Sequence, residues 1–244
     1  MRGIVFVFFL LLTSATEALC QNIYFGARVG GFIADWENSG SLSTFQSRSS
    51  AMWTFNLFSR QEIVDDFYIG IDIGYNRSTA ELNILQPERM VAKGNGPTLA
   101  FWSIGPTARK DFNFSNGKIG FQTSLSLPLS YIRFNRYNYS GDEFRSIIRV
   151  GDKQPVRDIF VYGEAHTNKK FNVFLRPEIG FFYRMNPRSR LSIDAMWGIN
   201  TGEPLATRNF HEIIYEGQTF TENRHTYDGL YLSFTIGYEL KLFQ

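Results

Sequence analysis

The side chains in this chain best suited to proton transfer are its three histidines, His166, His211 and His225. His211 stands beside Glu212 and His225 near Asp228, arrangements that could form an acid–base dyad. A lipid-modifying hydrolase would need such a base next to a nucleophile such as serine, close to the membrane surface. No two histidines have a metal-ligand spacing, and all three fall in segments that read as solvated loops. The sequence therefore assigns no catalytic residue, no metal ligand and no cofactor. A second set carries charge: Arg28, Asp72, Arg109, Arg176, Glu178, Asp194, Glu239 and Lys241, four of each sign. All eight occupy one parity of period-two segments. In a narrow interior they are expected to pair as a structural network, because an unpaired buried charge costs several kcal/mol. Gly26, Gly30 and Gly31 lie inside such a segment rather than before a helix, so they read as room for neighbouring side chains and not as a phosphate cradle.

The segments that position these charges alternate apolar and polar residues, the period of a strand with one greasy face. In the first, Phe25, Ala27 and Val29 alternate with Gly26, Arg28 and Gly30; in the third, Ile69, Ile71 and Ile73 alternate with Gly70, Asp72 and Gly74. The last sets Phe234, Ile236, Tyr238 and Leu240 against Thr235, Gly237, Glu239 and Lys241. Eight such segments are joined by connections of about 14, 7, 18, 5, 35, 4 and 28 residues, the long and short alternation of outer-membrane barrels. The expected fold is all-β, a transmembrane antiparallel up-and-down barrel of eight strands. Counting the β-like stretches Phe144 to Val150 and Asp158 to Tyr162 as membrane-spanning would make ten. Long outer loops are expected near 35–48, 79–96, 136–170 and 201–228. Pro106, Pro128 and Pro177 each remove a ladder donor and predict local bulges or rim irregularity.

If the short turns are periplasmic, Trp53, Tyr75, Trp102, Tyr131 and Trp197 fall at the outer ends of their strands. Phe67, Tyr183 and Tyr238 then fall at the inner ends, giving the two aromatic girdles a barrel requires. Aromatics make up 16% of the chain and 21 glycines accompany them, a composition suited to lipid-facing strands around a crowded lumen. With 25 basic against 23 acidic residues, nothing in the charge points to nucleic acid. Residues 1–20 read as a cleaved signal peptide, with Arg2, the apolar run Ile4 to Leu12, and Ala18-Leu19-Cys20 at the cleavage site. Lipidation of Cys20, the only cysteine, is the alternative. Residues 21–244 then form a single barrel domain in the bacterial outer membrane, with both termini periplasmic.

The run Thr235 to Phe243, with Gly237, Leu240, Leu242 and Phe243 in alternating positions, resembles the C-terminal insertion signal of outer-membrane proteins; Gln244 departs from it by following the aromatic. That resemblance implies assembly by the barrel-insertion machinery. The stretches Gln21 to Gly30 and Ser103 to Ala108 resemble the small single-domain barrels of Bacteroidetes, the porin family or PorT-like group, built as OmpA-type eight-stranded barrels. Some members of that group are accessory parts of the type IX secretion system, so the resemblance implies a family and a membrane rather than an activity. The expected partners are outer-membrane lipid and other outer-membrane or periplasmic proteins. The expected role is that of a non-catalytic structural or accessory subunit, with a lipid- or surface-modifying enzyme and a narrow solute pore as alternatives.

Overall fold

A computed structural model describes residues 22–34, 36–41, 45–50, 52–86, 89–115, 117–135, 143–148, 159–215 and 217–242. Every regular element among them is a strand. The first half of the chain holds β1 (Ile23–Ala34), β2 (Glu37–Ser39), β3 (Phe45–Ser50), β4 (Met52–Val64), β5 (Phe67–Gln86), β6 (Arg89–Asn113), β7 (Ile119–Ser126) and β8 (Leu129–Asn135). The second half holds β9 (Glu143–Ile148), β10 (Ile159–Thr167), β11 (Phe171–Asn186), β12 (Ser189–Asn200), β13 (Ala206–Tyr215), β14 (Gln218–Phe220), β15 (Asn223–Tyr227) and β16 (Tyr231–Lys241).

Antiparallel pairing runs from β1 through β4, β5 and β6 to β7 and β8, then through β11, β12 and β16 back to β1. Because β7 and β8 lie in line as one stave, the ring has eight staves, and closure leaves it without a free edge. One end carries the short turns at Asp65–Asp66 and Pro187–Arg188 and the connection from β6 to β7, closed by Phe114 N–H donating to the Ile119 carbonyl at 2.9 Å. The described chain ends meet there, where Leu242 N–H donates to the Ile23 carbonyl at 2.8 Å.

The predicted alternation is realised on both faces. Val29, Trp53, Ile69, Ile104, Ile193 and Ile236 stand exposed on the outer wall while Arg28, Asp72 and Glu239 are buried. On β6 the outward positions from Trp102 to Phe112 cover about ten residues, or roughly 33 Å of strand. At the usual strand tilt of about 40° that makes a belt ~25 Å tall, the height of a barrel's lipid-facing band. Burying these side chains in hydrocarbon is the physical account of their exposure.

The three prolines meet at one height. Pro106 lies in β6, Pro177 pairs with Leu125, and Pro128 sits in the gap between β7 and β8. The β6 register passes from Thr107↔Ser126 to Ile104↔Leu129 with no residue inserted, and Leu127 N–H still donates to the Pro106 carbonyl at 3.1 Å. The expected bulge is therefore replaced by a plain gap in the ladder. Proline withholds a donor without adding a residue, so pairing is lost while register is kept.

A second sheet, in the order β2-β15-β13-β10-β9 with β14 on β13, stands at the long-loop end. The hairpin read around 144–162 appears here as β9 and β10, paired with each other and with β13. It does not join the barrel ring, which fixes the strand number at eight rather than ten. The stretch 79–96 continues the β5–β6 ladder, Glu81↔Asn95 to Ile84↔Ala92, and β3 adds to it through Phe45↔Ile84 and Ser50↔Thr79. Above the lipid both faces can meet water, so the greasy and polar alternation fades although the ladder goes on. The expected signal peptide with Cys20, the terminal Phe243 of the insertion signal, and the loop residues 136–142 and 149–158 lie outside the described residues.

Ile193 and Ile236 pair across β12 and β16 near the middle of the belt and are 64% and 61% exposed. Ile236→Lys is expected to lower the unfolding free energy by about 2–4 kcal/mol in lipid vesicles. Urea titration of the vesicle-inserted protein measures it; a change within ~0.5 kcal/mol, normal for a water-facing site, would contradict a lipid-facing belt.

Candidate functional site in the barrel lumen

Seven of the eight predicted lumen charges, Arg28, Asp72, Arg109, Arg176, Glu178, Asp194 and Glu239, are buried inside the ring. Lys241 is the exception: it lies half-buried at the short-turn rim, with its ammonium 5.9 Å from the centre of the Tyr24 ring. Position decides this, because Lys241 is the last residue of β16 and its long side chain reaches the rim rather than the core. Three further charges, Arg60, Asp111 and Arg190, are buried with the set. Sequence reading passed over them because they follow the recognised alternation toward the short turns. The signal was there: Arg60 and Arg190 keep the inward parity of Asn56 and Asp194.

The result is five arginines and five carboxylates inside the barrel wall. Arg28 ion-pairs with Glu178 and reaches Asp72 at 2.9 Å. Arg60 bridges Asp72 at 3.6 Å and Glu239 at 3.5 Å. Glu239 also accepts from Arg109 at 2.7 Å and lies 2.7 Å from Arg190 Nε. Asp111 lies 3.0 Å from Arg109 and 2.5 Å from Arg190. Gln122 joins the two halves, accepting from Arg190 at 2.8 Å and donating to Asp194, which also accepts from Ser192 at 2.7 Å. Arg176 donates to the Ser126 and Ser103 hydroxyls at 3.3 and 3.4 Å.

Aromatic faces hold the guanidinium groups where carboxylates do not. Phe58 lies between Arg60, 4.0 Å from its centre, and Arg28 at 5.1 Å, while Arg109 stacks on Tyr68 at 4.1 Å. Space for the network comes from glycine. A Cβ at Gly180 would lie 2.0 Å from an Asp194 oxygen, and one at Gly237 would lie 2.6 Å from the Ser192 hydroxyl and 2.8 Å from Arg28 Cγ.

Towards the long-loop end the inward parity turns apolar. Phe32, Leu99, Phe101, Ile132, Phe174 and Tyr231 form one buried cluster with Trp36, Leu205, Ala206 and Tyr227 from beyond the ring. Phe32 packs on Tyr231 at 4.8 Å and on Phe101 at 5.6 Å, and Trp36 stacks on Tyr227 at 5.6 Å. This aromatic plug was missed from sequence. Its signal was the presence of large apolar residues on the otherwise polar parity at the outer ends of several strands.

Outside, Trp53, Tyr75, Trp102, Tyr131 and Phe171 form a continuous aromatic band. Trp53 to Tyr75 is 5.0 Å, Tyr75 to Trp102 is 4.5 Å, Trp102 pairs with Tyr131, and Tyr131 to Phe171 is 5.2 Å. Trp197 is exposed at the same end of β12; Tyr183 and Tyr238 are exposed at the opposite end of theirs. Gly237, Leu240 and Leu242 occupy the end of β16 or just beyond it, with both leucines on the outer wall.

The histidines are on strands, not in solvated loops, because the segments 159–167, 206–215 and 223–227 pair with one another. His166 lies in β10, His211 is exposed in β13 with its ring 5.4 Å from that of Tyr162, and His225 is buried in β15. The His225 ring packs against Phe210 at 4.6 Å and Phe45 at 5.1 Å, joining a second core of Phe45, Ile159, Val161, Phe210, Ile213 and Tyr215. Burial, and then the Arg208 guanidinium, lower its pKa to about 3 against an opposing backbone hydrogen bond at Phe45.

This architecture has counterparts among solved structures. The outer membrane protein OprG from Pseudomonas aeruginosa superposes with a TM-score of 0.52 at 9% identity, over 91% of this chain and 96% of that one. Neisserial surface protein A aligns over 90% of this chain and 97% of its own, at 13% identity and a TM-score of 0.42. No protein-family model and no curated protein matches the chain. The fold is that of an eight-stranded outer-membrane β-barrel.

Two expectations follow for the interior. Glu239→Gln leaves Arg60, Arg109 and Arg190 facing one another and should cost about 3–5 kcal/mol of unfolding free energy in vesicles; a loss under ~1 kcal/mol would show that the network does not hold the ring. His225 stays neutral while its unfolded counterpart takes up a proton near pH 6.5, so its contribution is complete above that pH and falls as pH falls towards 3. The outer sheet should lose about 2 kcal/mol between pH 7 and pH 5. Hydrogen exchange of β13 and β15 amides reads this loss, and His225→Phe should flatten it.

Proposed function

We propose that this chain is a closed, non-catalytic barrel of the bacterial outer membrane that serves as a structural or accessory subunit of a larger envelope assembly. The observation that carries this reading is the lumen itself, filled by ten paired or hydrogen-bonded charges and stoppered above them by a dense aromatic cluster. Eight strands enclose only enough room for side chains; here charges fill the middle of the lumen and the aromatic cluster its long-loop end, leaving a cavity of about 300 Å³ at the short-turn rim. A barrel so filled has its outward surfaces left for function: the second sheet and the belt. In this reading the short turns and both termini are periplasmic and the second sheet stands outside the cell. A signal peptide over 1–20 delivers the chain, and the barrel-insertion machinery assembles it. The placement with the PorT-like barrels of Bacteroidetes rests on the stretches Gln21 to Gly30 and Ser103 to Ala108.

The sheet that would meet a partner is firmly seated. Asn168 N–H donates to the Leu205 carbonyl at 2.9 Å and Leu205 N–H to that of Tyr227 at 2.8 Å, while the Asn200 amide ties Glu203 to Asp228. A rigid surface loses little entropy on docking.

Affinity purification from gently solubilised outer membranes should recover stoichiometric partner proteins, and the purified barrel should stay silent in planar bilayers. Recovery of the barrel alone would overturn the subunit role, and steady single-channel conductance would favour the narrow pore.

A further inference from the structure

On the lipid-facing wall, small or polar side chains interrupt the belt in two columns. Ser59 and Gln61 form one on β4; Pro106 and Ala108 form the other on β6. Between them Ile69 and Ile71 rise as a ridge on β5, paired to Gln61 and Ser59 on one side and to Ala108 and Pro106 on the other. Leu125 and Leu127 make the far wall, beside the proline gap. The depression has a volume of about 640 Å³ and a predominantly apolar lining.

The next outward position on β6 towards the short turns is Lys110, flanked by Phe67 on β5 and Thr123 on β7. A lysine at this depth is unusual on a lipid face. Its ammonium donates to the backbone carbonyl of Asp65 at 2.7 Å, and an ammonium has three donors. The Asp65 and Asp66 side chains stand on the adjoining turn, where Asp66 accepts from Asn113 at 2.7 Å and pairs with Arg184.

We propose that this depression is a phospholipid-binding site, with acyl chain lying in the furrows on either side of the Ile69–Ile71 ridge and the phosphate held by Lys110. The belt immerses the furrows in hydrocarbon, so a flexible chain is the occupant that fills them without stranding a polar group. Lys110, at the headgroup end, supplies the matching charge. A protein surface docking here would have to bury Lys110 opposite an acid in lipid. A phosphate reaches it at the interface, where lysine side chains extend towards water.

The inference needs the belt to face lipid but not any particular partner. The test uses the purified barrel in nanodiscs of mixed phosphatidylglycerol and phosphatidylcholine, followed by native mass spectrometry after release. The wild type should retain one phospholipid, enriched in phosphatidylglycerol. Ala108→Trp, which fills a furrow, should reduce retention at least tenfold, and Lys110→Gln should abolish the preference for phosphatidylglycerol. A barrel that inserts but retains no lipid, or an Ala108→Trp variant that retains it like the wild type, overturns the proposal while leaving the membrane reading intact. Covalent joining of two copies through A108C overturns it in favour of a second copy on this face. Failure to enter nanodiscs at all would instead overturn the membrane reading.

Discussion

Glu239 sits among Arg60, Arg109 and Arg190, which project from three other positions around the ring, on β4, β6 and β12. A buried carboxylate surrounded by three guanidinium groups is strongly favoured once formed and expensive to leave half-formed. That asymmetry makes the network a device for specifying structure. Slipping any stave by one residue would turn its charges into hydrocarbon and its isoleucines into the lumen. Register, strand number and the inward path of each arginine are thereby bound to one another. The aromatic rings of Phe58 and Tyr68 hold the cations from their remaining sides, so the interior packs as a solid.

The two ends of the lumen solve different problems. Near the short turns the interior is ionic and meets the rim through Tyr24, Glu62 and Arg184. Near the long connections it is apolar, because Phe32, Phe101, Phe174 and Tyr231 are met there by Trp36, Leu205 and Tyr227 arriving from the second sheet. A large buried apolar side chain contributes about 1.5–3 kcal/mol, so the plug also anchors the sheet that covers it. The second core, built on Phe45, Phe210 and His225, ties that sheet to the extension of β3 and β5. Stopper and outer sheet are thus one folded unit, the basis for proposing a docking role rather than a transport role.

Much of this was legible before the fold was known, and the reason is the solvent. Lipid on one side and packed side chains on the other impose a strict period of two, so Phe25, Ile71 and Ile236 could be assigned outward, and Arg28, Asp72 and Glu239 inward, from spacing alone. The same rule weakened where the lipid ends. The β5–β6 ladder beyond Thr79, the strands carrying the three histidines, and the aromatic plug all lie where neither face is compelled to be greasy. There the alternation no longer announces a strand, and segments that read as loops proved to be a sheet.

The sequence by itself determined the class of fold, the parity of seven of the ten lumen charges and the girdles, because each is fixed by a local two-residue repeat against a fixed solvent; the count of eight staves rather than ten waited on the placement of β9 and β10. Only the tertiary structure decided which charges meet, that Arg60, Asp111 and Arg190 complete the set and Lys241 stands apart, that the three prolines cluster around one gap, and that the outer segments fold back to close the mouth. Those facts depend on register between strands far apart in the chain, and register is set by the ring as a whole once all eight staves have paired.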